Sequence, residues 1–252
     1  MESEYRTQVP SDRGHESFIK LKCDLHTHIV GDRWKDRVTS QNMSPADFID
    51  RAASMGFDVL SLTYHDFLYH DPAVWSHAKE QGVVLVLGIE RSFDRRHVLL
   101  YNCPHAEAIE GLRALRHYRR LFPQCLVIAP HPFYKGQVCL GRRLVRNIDC
   151  FDAIEYCHFY TRFFNPNRTA VRVAKRFSIP MVGCSDAHRM EDFASTYSYI
   201  YARERSVDGV IEAIKAGRVE YVTTPLPLKR FFSEVLWILT RFSYVLKGEY
   251  GR

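Results

Sequence analysis

The stretch FIKLKCDLHTH, residues 18–28, joins an apolar strand pattern to a polar end, and this combination recurs along the chain. Residues 18–25 are predicted to form a β-strand. Side chains two residues apart on a strand lie on one face, so Asp24, His26 and His28 are expected to share a face. A lone His-x-His pair is as typical of a polar strand end as of a metal site, so the other strand ends decide between these interpretations.

The size and composition of the chain favour one large globular domain. It has 252 residues, of which 46% are hydrophobic and 25% charged. Because α/β barrels of about 200–250 residues fold as single domains, we expect a flexible lead-in at 1–17, a barrel domain at 18–222 and an apolar tail at 223–252. The lead-in lacks the apolar core of a secretory signal. The net charge of +6 predicts mild attraction to anions without identifying the partner.

Seven cysteines are scattered along the chain without a C-x-x-C pair. An odd, scattered set favours reduced thiols over a disulfide framework, which predicts a cytoplasmic protein. Each cysteine is expected to behave as a small buried hydrophobic residue.

Short apolar runs alternate with longer segments of helical periodicity, which is typical of βα units and of a parallel sheet. The predicted strands are 18–25, 58–62, 83–89, 98–101, 125–129, 153–156, 181–184 and 197–201. The predicted helices are 45–55, 106–121, 166–177 and 207–216. The first helix has the clearest signals, since Ser44 suits the N-cap, Pro45 the first turn and Gly56 the left-handed position at the end.

The most apolar run, FFSEVLWILTRFSYVL, lies at residues 231–246 and is interrupted by Glu234 and Arg241. A helix that crosses a bilayer needs roughly twenty uninterrupted apolar residues, so this run is not expected to span a membrane. We expect it to pack on the barrel or on a partner subunit, and the alternative is a helix that lies in a membrane interface.

Metal-binding side chains recur where the predicted strands end. They are His26 and His28, His65 beside Asp66, Glu90, His131, and Asp186 with His188. The carboxyl ends of parallel strands lie on one face of a sheet or barrel, so these side chains are expected to converge. Nitrogen and carboxylate donors together suit zinc, manganese or iron better than calcium. Burying so many ionisable groups without an ion would cost several kcal/mol for each group.

In order along the chain, the motifs DLHTH, His65-Asp66, GIE followed by HVLLY, His131-Pro132 and SDAH resemble those of the PHP superfamily, named for polymerase and histidinol phosphatase. The resemblance runs from about residue 20 to about residue 200. It implies an α/β fold, a distorted TIM-like (β/α)7 barrel. It also implies two or three divalent metal ions at the carboxyl ends of the strands.

By position, the resemblance implies three sets of ligands. The first ion would be held by His26, His28, Glu90 and Asp186. A second would be held by Glu90, His97 and His131, and a third by His65, His188 and an acid. The acid is expected in the loop after His28, where the family usually has an aspartate at the place that Arg33 occupies. Asp32 is the nearest candidate and Asp36 the alternative.

Two further acids and the remaining histidines receive other roles. Asp24 and Asp66 are expected to orient ligating imidazoles by accepting their second N–H. Five histidines are expected on the surface or on a helix face: His70, His77, His105, His117 and His158. His158 follows a predicted strand end, where it could also touch substrate.

The implied chemistry is hydrolysis by a metal-bridging hydroxide, since two nearby metals activate a shared water and neutralise phosphoryl oxygens. Asp186 and His188 are the candidates for moving the protons of the nucleophile and the leaving group. Arginines follow several of the same strand ends, and their planar forks match phosphate. Those expected to bind substrate are Arg142, Arg143, Arg168 and Arg189. A metal-dependent phosphoesterase acting on a small metabolite, a nucleotide or a phosphoprotein side chain is therefore the leading hypothesis.

Other functions use the same site differently. An amidohydrolase-like enzyme would cleave C–N or carboxyl-ester bonds with the same hydroxide. A nucleic-acid-processing or polymerase-associated PHP module is a further alternative, although the chain has no basic tract interleaved with aromatics. A catalytically idle scaffold is disfavoured because the ligand set is nearly complete.

Overall fold

The computed structural model of this protein describes residues 17–28 and 43–246. Its strands are β1 (Ile19–Asp24), β2 (Val59–Leu60), β3 (Val84–Leu85), β4 (Gly88–Phe93), β5 (Arg96–Tyr101), β6 (Leu126–Ala129), β7 (Ala153–Cys157), β8 (Met181–Cys184), β9 (Thr196–Ala202) and β10 (Val219–Thr223). Its α-helices are α1 (Pro45–Ser54), α2 (Pro72–Glu80), α3 (Gly111–Leu121), α4 (Arg142–Arg146), α5 (Asn167–Phe177), α6 (Val207–Lys215) and α7 (Leu228–Leu246).

The strands form two five-stranded sheets, with the orders β10-β9-β1-β2-β3 and β4-β5-β6-β7-β8. Both sheets are mixed. Parallel pairs join β1 to β2, β2 to β3, β6 to β7 and β7 to β8, whereas the other neighbours are antiparallel. The α/β class is confirmed, but the described residues do not form a continuous ladder that closes a barrel. The prediction of a distorted TIM-like (β/α)7 barrel is therefore confirmed only in part, as an α/β fold with two mixed sheets.

A tight hairpin explains part of this difference. The predicted strand 83–89 is divided into β3 and β4, and β4 continues through Glu90 to Phe93 before the chain reverses. Asp94 and Arg95 form the turn with φ angles of 48° and 66°. A two-residue turn with both residues in the left-handed region requires antiparallel strands, so β4 and β5 cannot belong to a parallel βα unit.

Two isolated bridges join the sheets where the site lies. Thr27 pairs with Ala187, and His65 pairs with Glu90. Within β8, Gly183 packs against β9, and its backbone N–H donates to Ser198 Oγ at 2.8 Å. A Cβ at Gly183 would lie 2.8 Å from the carbonyl oxygen of Tyr197, so this close approach requires glycine.

The helix predictions are confirmed in three cases and modified in one. At α1, the Ser44 side chain accepts from the Asp47 N–H and Pro45 occupies the first turn, as predicted. The predicted helix 106–121 is interrupted at Gly111, where φ is +80°, so α3 begins there. The predictions did not include α2, α4 or β10, because short helices and edge strands carry weak periodicity.

The prediction of reduced cysteines is wrong for one pair. Cys103 and Cys125 form a disulfide, with their Cα atoms 5.0 Å apart. Cys103 follows β5 and Cys125 precedes β6, and these strands are antiparallel neighbours, so the topology brings the two residues together. The five other cysteines are free and buried, as predicted.

The helix α7 begins after β10 and places Phe231 against the loop that follows β7. The ring of Phe231 stacks on Phe159 with centroids 4.8 Å apart. Within residues 17–28 and 43–246, no helix is long and apolar enough to cross a membrane.

Candidate metal centre

Six strands and the segments that follow them bring the proposed ligands together. Glu90 lies within β4 and His97 near the start of β5, whereas the other described ligands follow β1, β2, β6 or β8. Eight of the nine lie in overlapping groups whose donor atoms are within 4.8 Å of one another: His26, His28, His65, Glu90, His97, His131, Asp186 and His188. The ninth, Asp32, and its alternative Asp36 lie outside the described residues. The convergence expected from the strand ends is therefore present, and it draws on both sheets.

Glu90 lies at the middle of this cluster and is almost fully buried. Its carboxylate oxygens lie 2.7 Å from His65 Nδ1, 2.8 Å from His97 Nδ1 and 3.2 Å from His131 Nε2. Burial alone would raise the pKa of Glu90, but the charges of the neighbouring histidines outweigh it and lower the pKa well below its ordinary value. Glu90 is therefore held as a carboxylate.

A second group forms around the two histidines that follow β1. The Nε2 atoms of His26 and His28 are 3.1 Å apart. Asp186 Oδ1 lies 3.3 Å from the first and 3.6 Å from the second. Burial would raise the pKa of Asp186, but nearby histidines, His26 first, lower it. Asp186 is therefore anionic where two imidazole nitrogens converge.

The grouping differs in detail from the one implied by the resemblance. His97 groups with His65 and Glu90, whereas His131 groups with His26 and Glu90. The remaining group contains His28, His65 and His188, and the rings of His28 and His188 are stacked with centroids 4.5 Å apart. His28 and His65 thus belong to more than one group, and the donors form one connected cluster.

The donor atoms fit divalent cations. His26 Nδ1 lies 2.7 Å from Glu155 Oε1, a geometry in which the ring donates its Nδ1 proton and directs the Nε2 lone pair toward the cluster. That lone pair faces the carboxylates of Glu90 and Asp186, and a cation between them would relieve the repulsion. Glu90 Oε2 lies 2.7 Å from His65 Nδ1, and Glu90 Oε1 lies 2.8 Å from His97 Nδ1. Nitrogen and carboxylate atoms grouped in this way are the ligands that such a metal ion prefers.

The sequence reasoning missed Glu155 as part of this arrangement. It lies in β7 and is fully buried. Its Oε1 contacts His26 Nδ1, and its Oε2 accepts the backbone N–H of His131 at 2.6 Å. Glu155 therefore connects two members of the cluster. The signal that could have identified it is a glutamate within the apolar run AIEYC.

The roles predicted for Asp24 and Asp66 are not those that the structure shows. Asp24 Oδ1 accepts the backbone N–H groups of His26 and Ser185, each at 3.2 Å, so it holds the backbone of the site. Burial raises the pKa of Asp24 to about 7. Asp66 accepts from the guanidinium of Arg91 and from the backbone N–H of Ser92. Among the described residues, neither carboxylate accepts an imidazole N–H.

Two cluster residues lie in unusual backbone conformations. The φ angles are 27° at His131 and 48° at Asp186. Non-glycine residues in this region carry strain that the surrounding structure must offset, and such residues are concentrated at functional sites. Both residues follow strand ends, so the strained turns direct their side chains inward.

Four of the other histidines are at least partly exposed, as predicted: His70, His77, His105 and His117. The prediction is wrong for His158, which is 6% exposed. It follows β7, and its burial lowers its pKa.

The arginines predicted to bind substrate are dispersed. Arg142 and Arg143 begin α4, and Arg143 lies 3.1 Å from Asp94. Arg168 is exposed in the first turn of α5. Arg189 pairs with two buried carboxylates, Asp192 and Glu234.

Comparison with known proteins supports this description of the fold. The sequence model of the PHP-associated family, PHP_C, matches residues 164–219, which include α5, β8, β9 and α6. No curated protein matches significantly.

Among solved structures, one similar fold belongs to a two-domain protein from Bacteroides vulgatus that contains a predicted PHP-like metal-dependent phosphoesterase. The TM-score is 0.59 at 21% identity over 88% of this chain and 69% of the other. PsfC from Pseudomonas syringae aligns with a TM-score of 0.58 at 16% identity, over 89% of this chain and 98% of PsfC.

The lesion-specific endonuclease PfuEndoQ from Pyrococcus furiosus aligns with a TM-score of 0.57 at 16% identity, over 79% of this chain and 56% of the endonuclease. This chain thus spans little more than half of that enzyme. The match at 164–219 shows that this part of the chain is similar to the PHP-associated family, and the aligned structures show a similar fold.

Proposed function

We propose that this protein is a metal-dependent phosphoesterase that hydrolyses a small phosphorylated substrate. The observation that carries the proposal is the convergence of six histidines and two carboxylates on one buried cluster. The similarity in fold to a protein described as containing a PHP-like metal-dependent phosphoesterase supports the same reaction class.

The residues proposed to hold two or three metal ions are the eight described members of the cluster, with Asp32 as a further ligand. Their mixed nitrogen and carboxylate donors suit zinc, manganese or iron. Bound ions of this kind would activate a water molecule as nucleophile and neutralise charge on the phosphoryl oxygens.

The exposed fractions of the cluster side chains differ, and we expect substrate to enter where they are largest. His26, His28 and Glu90 are at most 1% exposed, whereas Asp186 and His188 each keep 19% of their side-chain surface exposed. The His65 side chain is 27% exposed, so a reacting group that enters from solvent would meet His65, Asp186 and His188 before the buried members of the cluster. Of these three we assign to Asp186 and His188 the transfer of protons to and from the nucleophile and the leaving group.

The arginines supply a weaker part of the proposal. Arg142 and Arg168 are exposed, and Arg143 shares its charge with an exposed aspartate. Arg189 is the least available, since it already pairs with Asp192 and Glu234.

The proposal is tested by metal analysis and a substrate panel. Purified protein is stripped with a chelator, reloaded separately with zinc, manganese or iron, and assayed on p-nitrophenyl phosphate, bis-p-nitrophenyl phosphate, p-nitrophenyl acetate and a single-stranded oligonucleotide. We expect phosphate-ester hydrolysis that disappears on chelation and returns with one of the metals. Asp186→Asn should abolish it, while Asp94→Asn, a change at an exposed carboxylate, should not.

Each contrary outcome identifies a different alternative. Hydrolysis of the acetate ester alone would favour an amidohydrolase-like enzyme, and cleavage of the oligonucleotide alone would favour a nucleic-acid-processing module. Full activity in protein shown to be metal-free would overturn the metal centre itself.

A further inference from the structure

A cluster of exposed apolar side chains lies on α7 and on the loop that follows β7. Six of the ten large hydrophobic residues that are exposed in the described structure belong to it. We call this surface the α7 face, and it consists of Phe163, Phe164, Leu228, Phe232, Leu236 and Leu239. Exposures range from 39% at Phe164 to 84% at Phe163. Contiguous apolar surface of this kind marks an interaction site.

The helical positions of the α7 face form a single stripe. At 3.6 residues per turn, Leu228, Phe232, Leu236 and Leu239 fall within a sector of about 80°. The loop residues extend this stripe at its beginning, since Phe164 lies 5.6 Å from Phe231 between ring centroids.

Ion pairs on the opposite side of α7 keep the stripe facing solvent. Glu234 is 4% exposed and accepts from Arg189 and from Arg230 on its own helix. Arg230 also lies 2.6 Å from Asp192 Oδ1. This network holds one side of the helix against the loop after β8, so the stripe cannot turn inward without breaking several ion pairs.

The exposed charges next to the α7 face are positive. Arg230 does not contribute to them, because it lies on the opposite side of α7 and pairs with Glu234 and Asp192. Lys229 and Arg162 are exposed beside the stripe and next to Phe163.

We propose that the α7 face binds an anionic lipid surface. Phenylalanine and leucine on one side of a helix, bordered by lysine and arginine, are the pattern by which helices lie in a membrane interface. Basic residues near such a helix are attracted by negatively charged headgroups. A two-fold contact between copies of α7 would instead oppose its excess positive charge to itself. The charge therefore favours an anionic lipid surface over a second copy of this chain.

Vesicle sedimentation with the full chain tests this proposal. The probes are vesicles of phosphatidylcholine alone and vesicles that also contain phosphatidylglycerol. We expect binding to the anionic vesicles and little binding to the neutral ones. Leu236→Ser should weaken binding about tenfold because it removes one buried leucine from the contact. The matched control is Leu121→Ser, since Leu121 is 63% exposed and Leu236 is 64% exposed, and Leu121 lies at the end of α3.

A charge-reversal pair tests the electrostatic part. The double variant Arg162→Glu with Lys229→Glu should lose binding to the anionic vesicles, whereas Arg113→Glu, at an exposed position of α3, should keep most of it. Circular dichroism and metal content verify that each variant is folded. These readouts do not depend on a phosphoesterase activity, so the proposed function can fail separately.

Three results would overturn the proposal. The first is absence of binding to anionic vesicles. The second is equal weakening by Leu236→Ser and Leu121→Ser. The third is a dimer, detected by light scattering, that dissociates on Leu236→Ser, since this would assign the α7 face to a subunit interface.

Discussion

The metal cluster and the arginines proposed to bind phosphate were both expected at the ends of strands, but they differ in what holds them. The cluster side chains are mostly buried, and hydrogen bonds from neighbouring strands fix them, as Glu155 fixes His26. Arg142 and Arg168 lie on helices and extend into solvent. A strand end therefore determines where a short side chain points, whereas a long side chain on a later helix remains adaptable.

The strongest test of this contrast is Glu90→Gln. All five of its neighbouring imidazoles lie within 3.5 Å: His26, His28, His65, His97 and His131. Glutamine has nearly the same shape but no charge, so bound metal should be lost. We expect kcat/KM for the phosphate ester to fall by about a thousandfold, as the metals contribute several kcal/mol. Elemental analysis and steady-state kinetics measure both effects.

The control is Glu80→Gln, a change at an exposed acid at the end of α2, which should leave both quantities unchanged. A Glu90→Gln protein with full metal content would contradict the central position of Glu90. Burial and hydrogen bonding would then not explain why the cluster binds metal.

The convergence of the cluster was predictable from sequence for a simple reason. Six of the eight described donors follow a strand, and the bridge between His65 and Glu90 joins the two sheets at the edge where these strands end. The division of the strands into two mixed sheets was not predictable in the same way. It depends on the direction of each strand, and the turn at Asp94 and Arg95 reverses the chain inside a segment whose apolar pattern is equally typical of a parallel strand.

A smaller effect is expected from Glu155→Gln. One carboxylate serves both His26 Nδ1 and the backbone N–H of His131, and glutamine has one oxygen for these two donors. We expect metal affinity to fall by about 10–100-fold, as is usual when a carboxylate that orients a ligating histidine is changed. Competition with a chromophoric chelator measures this affinity in the absence of substrate.

Asp24→Asn is the matched change at a second buried carboxylate. Asparagine keeps the Oδ1 atom that accepts the backbone N–H groups of His26 and Ser185, so metal affinity should change less than in Glu155→Gln. An equal loss in both variants would show that burial of an acid, not its contact with the imidazole, controls affinity.

These two acids show where sequence reasoning reaches its limit. Asp24 belongs to the quoted motif and Glu155 does not, yet it is Glu155 that contacts the ligating ring. The alternation of side chains places Asp24 on the same strand face as His26, but the partner of a ring nitrogen comes from another strand. That partner depends on sheet order, which local pattern does not determine.

Among the arginines, Arg189→Ala should act mainly on stability. Its guanidinium pairs with Asp192 and Glu234, which are both 4% exposed. Without Arg189, these buried carboxylates keep only Arg230 as a basic partner. We therefore expect the free energy of unfolding to fall by about 1–3 kcal/mol. Arg143→Ala, which breaks an exposed pair with Asp94, should cost less than about 0.5 kcal/mol. Urea denaturation compares the two, and equal values would contradict the structural role of Arg189.

The smallest effect is expected from the triple variant Arg142→Ala, Arg143→Ala and Arg168→Ala. These side chains are exposed or share an exposed ion pair, so their loss should leave the fold and the metal content unchanged. If they attract a phosphorylated substrate, KM should rise severalfold while kcat stays constant, because exposed charges aid binding without touching the reacting atoms. The increase should also shrink at high salt, since screening already weakens these charges in the unmodified protein. An unchanged KM at low salt would assign these arginines to the solvated surface and leave substrate recognition to the cluster and the side chains at its open edge.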